Sequence, residues 1–334
     1  MKIGKQTFAL TNPPTIVGHG AVAGKKEGEG PLANAYDQVN IDSYWGEKTW
    51  EKAESTMQKT AFSIALDKAS IPPNQLDFLF AGDLLNQSMS STFASRDSDI
   101  PLFGIYGACS TMGEGIMLAA MMLAGGLATH AAAVTSSHFC TAERQFRFPL
   151  EYGAQRSPTS QWTVTGAGAA ILSATGAGPK VTHVTPGKIV DGGIKDPSNM
   201  GAAMAPAAYD TISQHLKDTG RTPTDYDLIL TGDLGLIGHR AVTHLFERDG
   251  MGLQNYDDCG LMVYDRQMQK VDAGGSGCGA AGIVFNGHIL NTMRAGQLKR
   301  VLFCPTGALM SPTSTMQGES IPGICHALAI EMMP

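Results

Sequence analysis

Cys109 ends a Gly107-Ala108-Cys109 turn between an apolar approach from Pro101 and a Met- and Ala-rich apolar segment over 112–127. A thiol at the tip of a glycine turn that opens a buried helix lies near the positive end of that helix. The helix dipole lowers a cysteine's pKa and favours the nucleophilic thiolate. The same turn lets backbone N–H groups face a bound anion or the oxyanion of an acyl transfer. The plain alternative is a small buried residue filling a tight turn, as many free cysteines do.

Composition narrows the remaining chemistry. Six cysteines (Cys109, Cys140, Cys259, Cys278, Cys304 and Cys325) form no C-x-x-C pair and no zinc-like Cys/His spacing, so no metal site is expected. The amino end, MKIGKQTFALTNPP, lacks the apolar core of a signal peptide. No run reaches the ~18 uninterrupted apolar residues of a membrane span. Reduced thiols are therefore expected. A formal charge of −6 without a Lys/Arg cluster argues against nucleic acid as a partner. Charged residues make up only 16%, against about 25% in an average domain. That deficit points to covered surface, as in an oligomer or a membrane-bound complex, and the oligomeric state stays open.

The elements that must position Cys109 follow from patterning, and 334 residues exceed one small core. Thr15–Val22 reads as a buried strand, 24–46 as a polar Gly-rich excursion, and 50–69 as a helix capped by Thr49 with Glu51 in its first turn. Pro72-Pro73 end that helix, and Leu76–Asp83 reads as a strand. The pattern returns: LDFLFAGDL at 76–84 aligns without a gap with YDLILTGDL at 226–234, and Ser63/Ser213, Leu66/Leu216 and Pro73/Pro223 keep the same offset. The Gly107–Gly115 turn matches a second one over Gly274–Gly282. Each precedes a helix ending in Ala-Gly (124–125 and 295–296), then a buried strand, 131–135 and 301–304. One register kept across helix, turn and strand indicates an internal duplication. Each half is strand–helix–strand–helix–strand, which predicts an α/β sandwich with the two glycine turns meeting near a pseudo-twofold axis.

These residues resemble the thiolase fold, shared by thiolases and ketoacyl-carrier-protein synthases, over most of the chain. The Cys109 turn is similar to that superfamily's nucleophile elbow, and the second turn to the loop carrying a catalytic His or Asn. The fold class expected is α/β, two pseudo-duplicated βαβαβ halves in a layered α/β/α/β/α sandwich. Residues 1–175 form the half with Cys109, and 176–334 the half with the second turn. A closer resemblance, to a stage V sporulation family of spore-forming Firmicutes, lies in NPPTIVGHGAVAGKKEGEGPL, YGACSTMGEG and DDCGLMVYDRQMQKVDAGGSGCGAAG. It implies a protein that binds dipicolinic acid (pyridine-2,6-dicarboxylate) as its Ca²⁺ chelate. Such a protein works with other stage V sporulation A proteins, membrane channel components included, in moving that acid into the developing spore and out at germination. The implied location is the spore inner membrane, reached through those partners.

Thiol chemistry in this fold needs a His with a second His or an Asn beside the cysteine. Initiating condensing enzymes place a His where this chain reads Thr231-Gly232-Asp233; His239 lies further on, in the following helix. Ser276 stands at the second His or Asn position, and Cys304, in CPTG, near the late thiolase cysteine. A nucleophile without its partners loses several powers of ten in rate, so no catalytic residue is expected. The resemblance points to Cys109, Asp258 and Cys259 as pocket residues, and Ser276 and His239 complete the ligand-binding set. Asp258 beside a dianion makes sense if Ca²⁺ bridges them or if Asp258 organises its loop; no other cofactor is expected. His138, Arg144 and Arg147 could reach an anion but read more simply as a solvated loop. Asp83, Asp233 and Asp272 read as capping groups. The alternative function is a Cys109-dependent acyltransferase or condensing enzyme, and a third is a scaffold that needs no ligand.

Overall fold

The computed structural model describes residues 1–146 and 156–333. Five strands build the first half: β1 (Thr15–Ala23), β2 (Phe78–Asp83), β3 (Leu102–Gly104), β4 (His130–Ser137) and β5 (Gly166–Ser173). Five build the second: β6 (Pro179–Thr185), β7 (Leu228–Thr231), β8 (Tyr256–Asp258), β9 (Arg300–Cys304) and β10 (Ala327–Met332). The first sheet runs β3-β2-β4-β5-β1 and the second β8-β7-β9-β10-β6. In each, the first three strands are parallel and the last two pairings antiparallel. The sheets join where Lys180 of β6 pairs with Thr15 of β1. One strand order and one pattern of directions, occurring twice, is the duplication read from the sequence.

Helices α1 (Trp50–Ala69), α2 (Met89–Ser95), α3 (Thr111–Ala124) and α4 (Phe139–Phe146) belong to the first half. Helices α5 (Met200–Thr219), α6 (Gly235–Arg248), α7 (Cys259–Met262), α8 (Cys278–Ile283) and α9 (Leu290–Arg294) belong to the second; a π-helical turn, Val284–Ile289, joins α8 to α9. Thr49 caps α1 by accepting from the Lys52 amide, and Asn199 caps α5 in the same way.

Helices α3 and α8 form the central layer, in a core shared with both sheets. Helix α1 covers the outer face of the first sheet, and α5 and α6 that of the second, giving five layers. Strand alternation divides the cores: Val301 and Phe303 of β9 face the centre, Leu302 and Cys304 the outer layer. Cys304 thus points away from the central helices, contrary to its expected place near the late thiolase cysteine. The 24–46 excursion is also less superficial than expected, since Glu27 is buried and accepts from the Thr165 amide and the Tyr264 hydroxyl.

A buried polar network lies between α1, β4 and α2. Glu54 accepts from Ser136 and Thr141, both at 2.8 Å. Asp83 organises the start of α2 by accepting from the Leu85 amide and from the Ser91 amide and hydroxyl. Burial, then the Asp83 charge, pushes Glu54 up to about 8. The stability from protonated Glu54 is therefore complete below the ordinary glutamate pKa and is lost as pH rises toward about 8. Glu54→Gln is expected to flatten the fall in urea stability between about pH 6 and about pH 9 by roughly 2 kcal/mol. Parallel pH profiles for variant and wild type would contradict this placement of the proton.

Candidate functional site

Cys109 lies in a single 3-10 turn, Ala108–Ser110, that leads directly into α3. The turn is tied by Ser110 Oγ donating to the Gly107 carbonyl at 2.7 Å and Thr111 Oγ1 donating to the Ala108 carbonyl at 2.6 Å. Ala108 adopts φ +50°, a left-handed conformation that costs on the order of 1 kcal/mol in a residue with a Cβ. A Cβ at Gly107 would lie 2.5 Å from Ser110 Oγ, so the bonded turn requires glycine there. Leu84, Ala142, Cys278 and Phe146 pack around the thiol, leaving Cys109 only 4% exposed.

The second glycine turn reaches the same place from the other half. Gly277 (φ +96°) precedes α8, and a Cβ on Gly279 would meet Ser137 Oγ at 2.4 Å, so the turn lies hard against the end of β4. Between the turns stands Asp233, fully buried just beyond β7. Its Oδ2 accepts from the Gly277 amide at 2.8 Å and from Ser276 Oγ at 3.2 Å, and its Oδ1 from Thr306 Oγ1 at 3.2 Å. The Cys109 thiol faces the same carboxyl group. Gln161 Nε2 clamps the assembly by donating to the carbonyls of Asp233 and Gly275.

This arrangement reverses the expected electrostatics of the thiol. Burial, then the Asp233 charge, pushes the Cys109 thiol well above its ordinary pKa, and only the Gly277 amide opposes the rise. The helix-dipole stabilisation of a thiolate is outweighed because the site is dry and its nearest charge is negative. Burial also raises Asp233, against the pull of its donors. Burial thus pushes both groups toward their neutral forms, and Cys109 stays a thiol.

Among the sequence-stated candidates, Cys109 and Ser276 come together, joined by Asp233. Asp258 lies behind them. It accepts from Thr231 Oγ1 and the Leu234 amide, both at 2.8 Å, and from the Gly235 amide at 3.0 Å. It thereby fixes the β7–α6 loop that carries Asp233, the organising role left open as one of two readings. Burial, ahead of the Asp233 charge, raises Asp258 to about 7. Asp258 ends β8 and Cys259 opens α7, so the pair is not in a loop; Cys259 is buried in the central core. His239, on α6, stacks on Tyr256 with centroids 4.3 Å apart and links to Asp258 only through Tyr256 and Thr231.

His138 is buried and bonded to the Ser43 carbonyl rather than solvated, whereas Arg144, on α4 and not in a loop, is exposed and pairs with Glu51. Arg147 lies outside the described residues. Two functional residues escaped sequence reasoning. Asp233, read as a cap, is the centre of the site; its equivalence with Asp83 was visible, but not which of the two faces the thiol. Thr306 carried no local signal at all. Among the described residues, no group of three or more His, Cys, Asp or Glu could hold a metal ion.

A cysteine on a strained turn before a buried central helix, facing the matching turn of a duplicated half, defines a thiolase-fold protein. The fold matches 3-oxoacyl-acyl-carrier-protein synthase III from Aquifex aeolicus VF5 at a TM-score of 0.59 and 14% identity, covering 95% of this chain and 99% of that one. It matches acetamide-bound OleA of Xanthomonas campestris at a TM-score of 0.62 and 15% identity, covering 97% and 100%. Within that class, the chain belongs to the stage V sporulation protein AD family, whose pattern spans residues 4–331. It is 45% identical over 329 residues to Stage V sporulation protein AD of Bacillus subtilis (strain 168), covering 98% of this chain and 97% of that protein.

Proposed function

We infer that this protein binds dipicolinic acid as its Ca²⁺ chelate at the Cys109 site and does not catalyse a reaction there. It acts as a component of the spore inner-membrane complex that moves the acid into the developing spore and out at germination, with other stage V sporulation A proteins as partners. The ligand is carried over from the resemblance and agrees with the sporulation family of the chain. The observation that carries the non-catalytic part is Asp233 at the thiol. Where initiating condensing enzymes have a His, an acid suppresses the thiolate, and Ser276 replaces the second partner. The ligand's ring has apolar walls in Leu84, Ala142 and Phe146. Among the described residues, no helix is long and apolar enough to cross a membrane, which agrees with attachment through partners.

Calorimetric titration with dipicolinate and Ca²⁺ is expected to show saturable binding to wild type that Cys109→Ala weakens about tenfold. A folded wild type that takes up no ligand rejects this reading. The competing reading, a Cys109-dependent acyltransferase, keeps one observation in its favour, the intact elbow. It predicts a mass increase at Cys109 after incubation with an acyl-CoA, which the binding reading does not.

A further inference from the structure

We propose that the buried carboxyl pair Glu54 and Asp83 is a proton-operated latch on the Leu84–Ser88 strap, and that loss of its proton admits solvent and solutes to Cys109. The latch works whichever ligand the site takes. Leu84 is the stopper. It follows Asp83, packs on Cys109, and stands 3.4 Å from where a Cβ on Gly277 would lie, so one side chain reaches both glycine turns. The strap runs irregularly from β2 to α2, with Ser88 at φ +49°, a conformation that stores backbone strain. Asp83 holds it at both ends, accepting from the Leu85 amide at 3.0 Å and from the Ser91 amide and hydroxyl at 2.9 and 2.6 Å. Gln58 Nε2 joins the two acids by donating to Ser136 Oγ, the partner of Glu54, at 2.8 Å and to Ser91 Oγ at 3.3 Å.

Few ionisable groups surround Glu54. Asp83 faces it from β2 and Cys278 from α8, while α2 and β4 present serines and α4 presents Thr141. Glu51 and Arg144 pair with each other, and His138 bonds the Ser43 carbonyl. Among the described residues, no lysine, arginine or histidine bonds either acid of the pair. Packing alone does not call for an acid here: at the offset that matches Ser63 with Ser213, Glu54 corresponds to Met204, which is just as deeply buried. Solvent is close. A groove of about 410 Å³ between α1 and α2 is lined by Thr49, Ser55, Met89 and Phe93. Ser55, next to Glu54, ties α1 to α2 by donating to the Ser90 carbonyl at 2.9 Å. A small movement of α2 therefore opens a path for the proton. Burial keeps a proton on the pair, with Glu54 raised to about 8. The closed latch is thus favoured at low pH and loses that advantage as pH rises toward about 8. Once both groups ionise, two carboxylates share a dry site without a counter-charge, and releasing the strap to water relieves them.

The test follows alkylation of Cys109 by iodoacetamide in wild type and Glu54→Gln, by peptide mass spectrometry, from about pH 7 to about pH 9. The thiol's ionisation answers to burial, Asp233 and Cys278 rather than to Glu54, so the ratio of the two rates at each pH reports access. That ratio, wild type over variant, is expected to rise about tenfold across the range. Amide-exchange protection of residues 84–96, corrected for the intrinsic rate, should fall by the same factor in wild type alone, while that of α5 stays level. A flat ratio, or protection of 84–96 lost equally from both proteins, overturns the latch. Should Glu54→Gln not fold, Glu54→Met, the residue of the other half, replaces it. Should neither fold, wild-type exchange decides: protection of 84–96 that merely tracks α5 with pH overturns the proposal, and selective loss supports it.

Discussion

Asp233→Asn is expected to raise the rate constant for alkylation of Cys109 by iodoacetamide roughly a hundredfold near neutral pH. The thiol is now held un-ionised by burial and by the Asp233 carboxyl beside it. The substitution removes that carboxyl and replaces an acceptor with an amide able to donate to a thiolate. Both changes lower the thiol pKa, and each tenfold rise in thiolate population raises the rate by the same factor. Access is the same in both proteins because the side chains are isosteric, so the ratio reports ionisation. Peptide mass spectrometry must follow Cys109 itself, since Cys140 is the more exposed thiol. Ser276→Ala, which removes a hydroxyl and no charge, should change the rate by less than about threefold. An unchanged rate in Asp233→Asn would mean that the dry setting alone controls the thiol and that Asp233 has no electrostatic role at the site.

Gly168→Ala is expected to destabilise the protein by more than about 3 kcal/mol, among the largest costs a single methyl group can bring. A Cβ at this position of β5 would stand 2.3 Å from the Gly282 carbonyl oxygen, 2.5 Å from its carbon and 2.7 Å from its Cα. All three atoms are backbone, so no side chain can turn aside. Relief requires α8 to leave the sheet, and α8 carries the Gly277 turn that bonds Asp233. The variant should therefore lose stability and ligand affinity together. Gly104→Ala, in β3 with nothing within 4 Å of the new methyl, is the matched control and should be near neutral. A urea midpoint for Gly168→Ala like that of the control would show that α8 can move off β5 without cost.

The same contacts explain why the duplicated halves differ in function while agreeing in topology. Asp83 and Asp233 occupy equivalent places after equivalent strands. Asp83 is taken up by Leu85 and Ser91 of its own half. Asp233 accepts from Ser276 and Thr306 of its own half and also faces Cys109 across the interface. A repeat in sequence carries no record of which copy faces the partner half.

By itself the sequence determined the duplication, the principal helices and strands, the fold class, and the turn that presents Cys109. These follow from local rules: apolar periodicity separates helix from strand, Thr49 caps α1, the missing side chain of Gly107 leaves room for Ser110, and Gly277 admits a positive φ. Only the tertiary structure decided the chemistry of the site. Residues far apart in the chain make Asp233 the neighbour of Cys109, assign Asp258 to the loop that holds it, and turn Cys304 to the outer layer. The physical reason is that a thiol's ionisation depends on its solvent and on the nearest charge. Leu84, Ala142 and Phe146 of its own half and Cys278 of the other exclude the solvent, and Asp233 of the other half supplies the nearest acid, so a favourable helix terminus in the sequence became, after packing, a buried thiol facing an acid.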